Sequence, residues 1–173
     1  ITEKSGLKTE GWCYGIAVVD INQDGYQDFY ICKSGNKNTP ASQRHNYFFI
    51  NNGNNTFTES AAKMGLDDDG YDVQAAFFDY DKDGDLDMYL VRNSFVNYNR
   101  NNAREMKSKV ETSSTTNKLF RNDGNLKFTD VSKEAGINIE GFGLGVAVCD
   151  INKDNWPDIY VSNDFITSDL VWI

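Results

Sequence analysis

The chain has 173 residues, 39% of them hydrophobic and 13% aromatic, which is enough for a domain with a core and excludes a disordered polypeptide. Its net charge of −9 argues against nucleic acid as a partner. No purely apolar run exceeds about five residues, so no membrane span is expected in this segment.

The opening ITEKSGL has neither the basic region nor the apolar stretch of a signal peptide. It matches two later stretches instead, SAAKMGL (60–66) and VSKEAGI (131–137), so the chain opens in the tail of a repeated unit. Next comes Gly11-Trp12, then GIAVVDINQDGYQDFYIC from Gly15 to Cys32. GIAVVD and DFYIC are short, β-branched or aromatic, and flank an acidic turn, which predicts a β-hairpin. A polar connection, KSGNKNTPASQRH, leads to NYFFINNGNNTFTESAAKMGL (46–66). There YFFI and TFTE predict a second hairpin across an Asn-Gly turn.

The same text then recurs. Gly70-Tyr71 precedes QAAFFDYDKDGDLDMYLV (74–91), and NKLFRNDGNLKFTDVSKEAGI (117–137) aligns without a gap to the second hairpin. Gly141-Phe142 precedes GVAVCDINKDNWPDIYVS (145–162). Asp20, Asp79 and Asp150 lead the three acidic loops at separations of 59 and 71 residues. The 12-residue difference falls in the connection 92–116, RNSFVNYNRNNAREMKSKVETSSTT. Within it AREMKSKVE predicts a short helix, with Glu105 and Lys109 at i,i+4 spacing. Four short strands in about 60 residues, repeated, predict all-β architecture: four-stranded antiparallel β-propeller blades. The expected divisions are the end of a preceding blade at 1–10, a blade at 11–69, a blade at 70–140 and an incomplete one at 141–173. Trp12, Tyr71 and Phe142 are expected between blades, and Tyr30, Tyr89 and Tyr160 in the core. Cys13, Cys32 and Cys149 form no CxxC pair and no even set, and are expected as small buried thiols. The single histidine, His45, falls in a loop.

Five aspartates between Asp79 and Asp87 repel one another unless a cation sits among them. The spacing D-x-[DN]-x-[DN]-G also opens an EF-hand loop, but that motif needs a Glu at position 12 and flanking helices. Position 12 here is Ile31, Leu90 or Val161, and the flanks are strand-like. What recurs is a carboxylate at position 9. The side chains at 1, 3, 5 and 9, with the carbonyl at 7, are the candidate ligands. They are Asp20, Asn22, Asp24, Asp28 and the Tyr26 carbonyl; Asp79, Asp81, Asp83, Asp87 and the Asp85 carbonyl; and Asp150, Asn152, Asp154, Asp158 and the Trp156 carbonyl. Oxygen donors alone favour Ca²⁺ over zinc or copper, and Mg²⁺ wants a stricter octahedron. Loop two, the most acidic, should bind tightest. Three Ca²⁺ ions, each adding two charges, would bring the net charge from −9 to −3. In loop three Asn155 replaces the glycine of position 6 and Pro157 precedes the last ligand; Asn tolerates the left-handed region better than most residues. The rival to a metal is an ordinary Asp-Gly hairpin turn, which holds none.

The nine-residue D-x-[DN]-x-[DN]-G-x-x-D loop between strands resembles the FG-GAP (VCBS) repeats of integrin α-subunit-type propellers. The fuller pattern is aromatic-x-x-G-x-A-x-x-D followed by D-[FMI]-Y-[ILV]. With F-x-N-x-G-x-x-x-F at 49–57 and 120–128, it is similar to the cartilage-acidic-protein and ASPIC/UnbV branch. The resemblance implies a propeller of about seven blades, of which about three lie here. It also implies structural Ca²⁺, no catalytic residues in this segment, and a secreted or cell-surface setting, often bacterial and anchored at the outer membrane. The function implied is an interaction module for protein or glycan, or an accessory part of a larger surface assembly. An alternative is a calcium-propeller polysaccharide lyase or hydrolase whose catalytic residues lie in other blades. By strand parity the acidic loops and the Asn-Gly turns share one face, so a partner would meet the opposite one. Phe95, Tyr98, Arg100 and Arg104 of the long connection are candidates for that contact, against a plain solvated insertion.

Overall fold

The computed structural model describes residues 2–93, 114–139, 141–164 and 167–173. Each stretch of alternating apolar residues becomes a strand that pairs with the next in sequence, because the intervening turns are short. β1 (Trp12–Val19), β2 (Asp28–Ser34), β3 (Tyr47–Asn51) and β4 (Phe57–Glu59) form one four-stranded antiparallel sheet in that order. β5 (Asp72–Phe78), β6 (Asp87–Arg92), β7 (Lys118–Asn122) and β8 (Phe128–Asp130) form the second. β9 (Gly143–Cys149), β10 (Asp158–Asn163) and β11 (Leu170–Trp172) form a third, with β10 central. Besides a 3₁₀ turn at Ala41–Gln43, the helices are single turns, α1 (Thr2–Ser5) and α2 (Ala61–Met64). Among the described residues, no helix is long and apolar enough to cross a membrane.

The sheets stack face to face, with β1 beside β5 and β5 beside β9. Side-chain parity decides which neighbour each residue meets. Tyr30, Cys32 and Phe48 of the first blade pack with Ala75, Met88, Leu90 and Phe120 of the second. From the other face of that blade, Tyr89, Val91 and Leu119 pack with Ile159 and Val161 of the third. Repeat-equivalent positions therefore differ in what covers them. Ala75 is 6% exposed between two blades, whereas its counterpart Ile16 is 62% exposed. Tyr30 and Tyr89 are fully buried, whereas Tyr160 is 39% exposed and bonds Asp169.

These exposures correct three expectations. Trp12 is exposed, because it lies at the start of β1 on the first blade, whose outward face carries no neighbouring blade among the described residues. Tyr71 does meet another blade: the Arg44 guanidinium lies 4.3 Å over its ring. Cys13 and Cys149 are exposed on the two end sheets, and only Cys32 is buried. The predicted helix in the long connection, with Phe95, Tyr98, Arg100 and Arg104, lies outside the described residues.

The tail unit links consecutive blades. Gly65, at φ 83° after α2, approaches the Phe128 carbonyl of the second blade so closely that a Cβ there would sit 2.9 Å from it. Gly6, after α1, stands in the same relation to the Phe57 carbonyl of the first, at 2.7 Å. Each tail thus caps the outer hairpin of the blade that follows it, at a spot where only glycine fits.

At the end opposite the acidic loops, a buried polar network ties the first two blades. Asn46 Nδ2 donates to Tyr30 Oη and to Asp72 Oδ2, both at 2.7 Å, and its Oδ1 accepts the Lys33 amide at 2.7 Å. Arg92 Nε donates to Asp72 Oδ1 at 2.8 Å and its Nη2 pairs with Asp68. Lys118 bridges Asp68 at 2.7 Å and Asp130 at 3.1 Å. Burial pushes the Asp72 carboxyl up, to about 8, and the Arg92 guanidinium down, to about 10. The contact between them works against that desolvation without cancelling it, so removing one partner is costly where replacing both need not be. Asn117 repeats the role of Asn46 towards the backbone, accepting the Arg92 amide at 2.8 Å.

Asn46→Ala removes a hydrogen-bond partner from three buried polar groups at once, the Tyr30 hydroxyl, the Asp72 carboxyl and the Lys33 amide. It should cost about 3 kcal/mol, seen as a Tm lower by about 6–12 °C for a chain of this size. A shift smaller than about 2 °C would show the network to be dispensable.

Candidate metal centres

Each acidic loop joins the first two strands of a sheet, so its tip lies at one end of the blade and its last carboxylate begins the second strand. Backbone conformation is the same in all three loops. Position 4 is left-handed in each, with φ 56° at Gln23, 62° at Lys82 and 66° at Lys153. Position 6 is also left-handed, at Gly25 (88°), Gly84 (94°) and Asn155 (71°). Nothing lies within 4 Å of a Cβ built at Gly25 or Gly84, so the torsion rather than space calls for glycine there. Asn155 takes the same bend, as an Asn can.

The carboxylates organise the turn through backbone amides. At position 1, Asp20 accepts the Asp24 amide at 3.0 Å and the Gly25 amide at 2.8 Å. Asp79 accepts the Asp83 and Gly84 amides at 3.1 and 3.0 Å, and Asp150 the Asp154 and Asn155 amides at 3.2 and 2.9 Å. At position 5, Asp24, Asp83 and Asp154 each accept the position-7 amide of Tyr26, Asp85 or Trp156 at 2.8 Å. At position 9, Asp28, Asp87 and Asp158 are buried and reach back to the position-2 amides of Ile21, Tyr80 and Ile151 at 3.1, 2.9 and 2.7 Å.

Loop two gathers the most charge. Oxygens of Asp79, Asp81 and Asp87 lie within 4.8 Å of one another. Asp81 Oδ1 is buried with no hydrogen-bond partner, and an orphaned carboxylate oxygen among two other carboxylates is what a bound cation would satisfy. Asp83 lies outside that trio and is exposed at the loop tip. In loops one and three the position-3 side chains are amides, and Asn22 and Asn152 donate to Asp24 at 2.8 Å and Asp154 at 2.9 Å. Burial is the main cause that raises the Asp87 carboxyl, to about 6, with Asp81 and Asp83 adding to it and the Asn122 and Tyr80 amides opposing. Asp28 is raised for the same first reason. Asp154, exposed, is lowered by the Trp156 amide and the Asn152 side chain. The donor set of all three loops is oxygen alone, which fits a hard divalent cation.

Several partners of this site escape the spacing argument. Asn51 and Asn122, on the third strands, donate their amides to Asp28 at 2.7 Å and Asp87 at 2.8 Å. Their side chains reach the carbonyls of Gln27 and Leu86 at 3.1 and 3.3 Å. Their trace in sequence is the repeated F-x-N at 49–51 and 120–122. The Tyr26 ring lies over Gly53, where a Cβ would come within 2.8 Å of it, so the acidic loop and the Asn-Gly turn do share one end of the blade. Gln23 Nε2 donates to the Gly84 carbonyl at 3.2 Å, and Lys82 Nζ sits 4.0 Å from the centre of the Trp156 ring.

Stacked antiparallel sheets of this repeat, with an oxygen-rich loop at the same corner of each, define a propeller-type repeat module. A family model described as an FG-GAP-like repeat matches residues 33–90 and 110–161, and the chain belongs to that family. No curated protein matches the chain.

In the metal-free protein, Asp87 keeps its proton up to about pH 6 when folded, whereas unfolded it loses it near about pH 4. Its contribution to stability therefore falls as pH rises from about 4 to 6. Urea midpoints in chelator should show any disadvantage of Asp87→Asn shrinking, or an advantage growing, across that window. A difference that does not vary with pH would contradict the raised value.

Proposed function

We propose that this chain is a non-catalytic, calcium-stapled propeller module that works outside the cell and contacts protein or glycan, alone or as an accessory part of a surface assembly. The observation that carries the calcium reading is the orphaned Asp81 oxygen beside Asp79 and Asp87, in a loop whose geometry is repeated twice more. Each ion would neutralise carboxylates that otherwise repel and would pin the first hairpin of its blade to the third strand through the position-9 aspartate. The supplied chemistry is charge neutralisation and rigidity. Millimolar extracellular calcium would keep even weak sites filled. The sole histidine, His45, has Nδ1 at 2.7 Å from the Asp67 carbonyl in an exposed loop, which supports a non-catalytic reading.

The face opposite the loops suits a polar partner. There a cleft of about 390 Å³ opens among Asp69, Arg92, Lys118, Asp130, Lys133 and Asn138. Mixed charges and amides of this kind match hydroxyl-rich or polar surfaces better than apolar ones.

Calcium should raise the Tm over that in chelator. A site whose Kd is a hundredth of the free ion adds about 2.7 kcal/mol, or about 5–10 °C for a chain of this size. Asp81→Ala, which removes the position-3 oxygen donor that Asn22 and Asn152 keep in the other two loops, should lower the calorimetric stoichiometry from three ions to two. Equal Tm values in calcium and chelator, with no heat of binding, would refute the reading. For the opposite face, Lys133→Glu should weaken capture on glycan and surface-protein arrays while leaving calcium binding unchanged.

A further inference from the structure

The position-4 side chain of one loop reaches the next loop in two successive cases. Gln23 lies between the candidate ligands Asn22 and Asp24, and its amide holds the Gly84 carbonyl. Gly84 in turn donates its own amide to Asp79, the first carboxylate of loop two. Lys82 lies between Asp81 and Asp83, and its ammonium rests on the Trp156 ring. Trp156 donates its amide to Asp154 of loop three. In both cases a position-4 residue with left-handed backbone sends its side chain out of its own loop and across the blade boundary. Trp156 is 47% exposed, so Lys82 is its partner on a surface that solvent otherwise reaches.

We propose that the three loops fill with calcium cooperatively, because an ion ordering Asn22 and Asp24 fixes Gln23 against loop two, and an ion ordering Asp81 and Asp83 fixes Lys82 against loop three. This rests on the reading of the loops as calcium sites. A ligand that rigidifies one element lowers the ordering cost of the element braced on it, and the coupling is reciprocal. Repulsion between neighbouring ions acts the other way, but salt at about 0.15 M screens exposed charges beyond about 8 Å. One hydrogen bond or one cation–π contact per boundary supports a second ion bound about five-fold tighter than the first.

The test is calorimetric titration of the metal-free full chain with calcium at about 0.15 M salt. A Hill coefficient above one is expected, falling towards one in Gln23→Ala and in Lys82→Ala with three ions still bound. Lys82→Arg, which keeps the charge and stacks on Trp156, should retain it and so separates bracing from simple charge. Three independent sites in the unmodified chain would overturn the coupling and leave the calcium reading standing. Cooperativity untouched by both alanine variants would overturn the bracing. Absence of any calcium binding would overturn the calcium reading and this proposal together.

Discussion

Carboxylates crowded at the tip of a hairpin repel each other, and that repulsion governs how the rest of each blade is built. The protein counters it first with backbone amides. Of the position-1 aspartates, Asp20 and Asp79 accept two backbone amides each and Asp150 three, and the position-5 aspartates accept one. The position-9 aspartates are buried at the root of the loop and, in the two complete blades, also take an amide from the third strand. Loop, hairpin and neighbouring strand are thereby a single hydrogen-bonded unit. A cation placed among those oxygens would act on three strands at once. In loop two the amides leave one buried oxygen of Asp81 unmatched.

Opposite the acidic loops, charge is handled differently. Asp72 and Arg92 are buried in contact, with Asn46, Tyr30, Asp68 and Lys118 completing the network. Here opposite charges and hydrogen bonds work against desolvation without an ion. The two ends of a blade thus follow separate electrostatic designs, one with an excess of carboxylates and one balanced. Between them lie apolar faces that need another blade: Ile16 and Ala75 hold the same place in the repeat and differ tenfold in exposure. Packing, not residue type, sets that difference.

Much of this was legible because a repeat states its rule several times. Three acidic loops of equal spacing, alternating apolar flanks and the Asn-Gly turn specify hairpins without reference to anything distant, since each pairing closes over a few residues. The same locality makes loop torsions readable: an Asn at position 6 of loop three takes the bend that glycine takes elsewhere. The F-x-N repeat was visible too, although the clamp that Asn51 and Asn122 apply to Asp28 and Asp87 was not. That clamp depends on the register of the third strand against the second, which the pattern alone leaves open.

Local order along the chain was sufficient to specify strand, turn and candidate ligand, because each rests on spacing between near neighbours. Contacts across blade boundaries were beyond it. Gln23 on Gly84, Lys82 on Trp156, Arg44 on Tyr71, Gly65 under Phe128 and Asn46 on Asp72 join residues 26 to 74 positions apart. Nothing in their spacing sets them off from other polar and glycine positions. They exist because stacked, twisted sheets bring particular corners together. The same reason left Trp12, Tyr160, Cys13 and Cys149 open to solvent when residue type alone argued for burial.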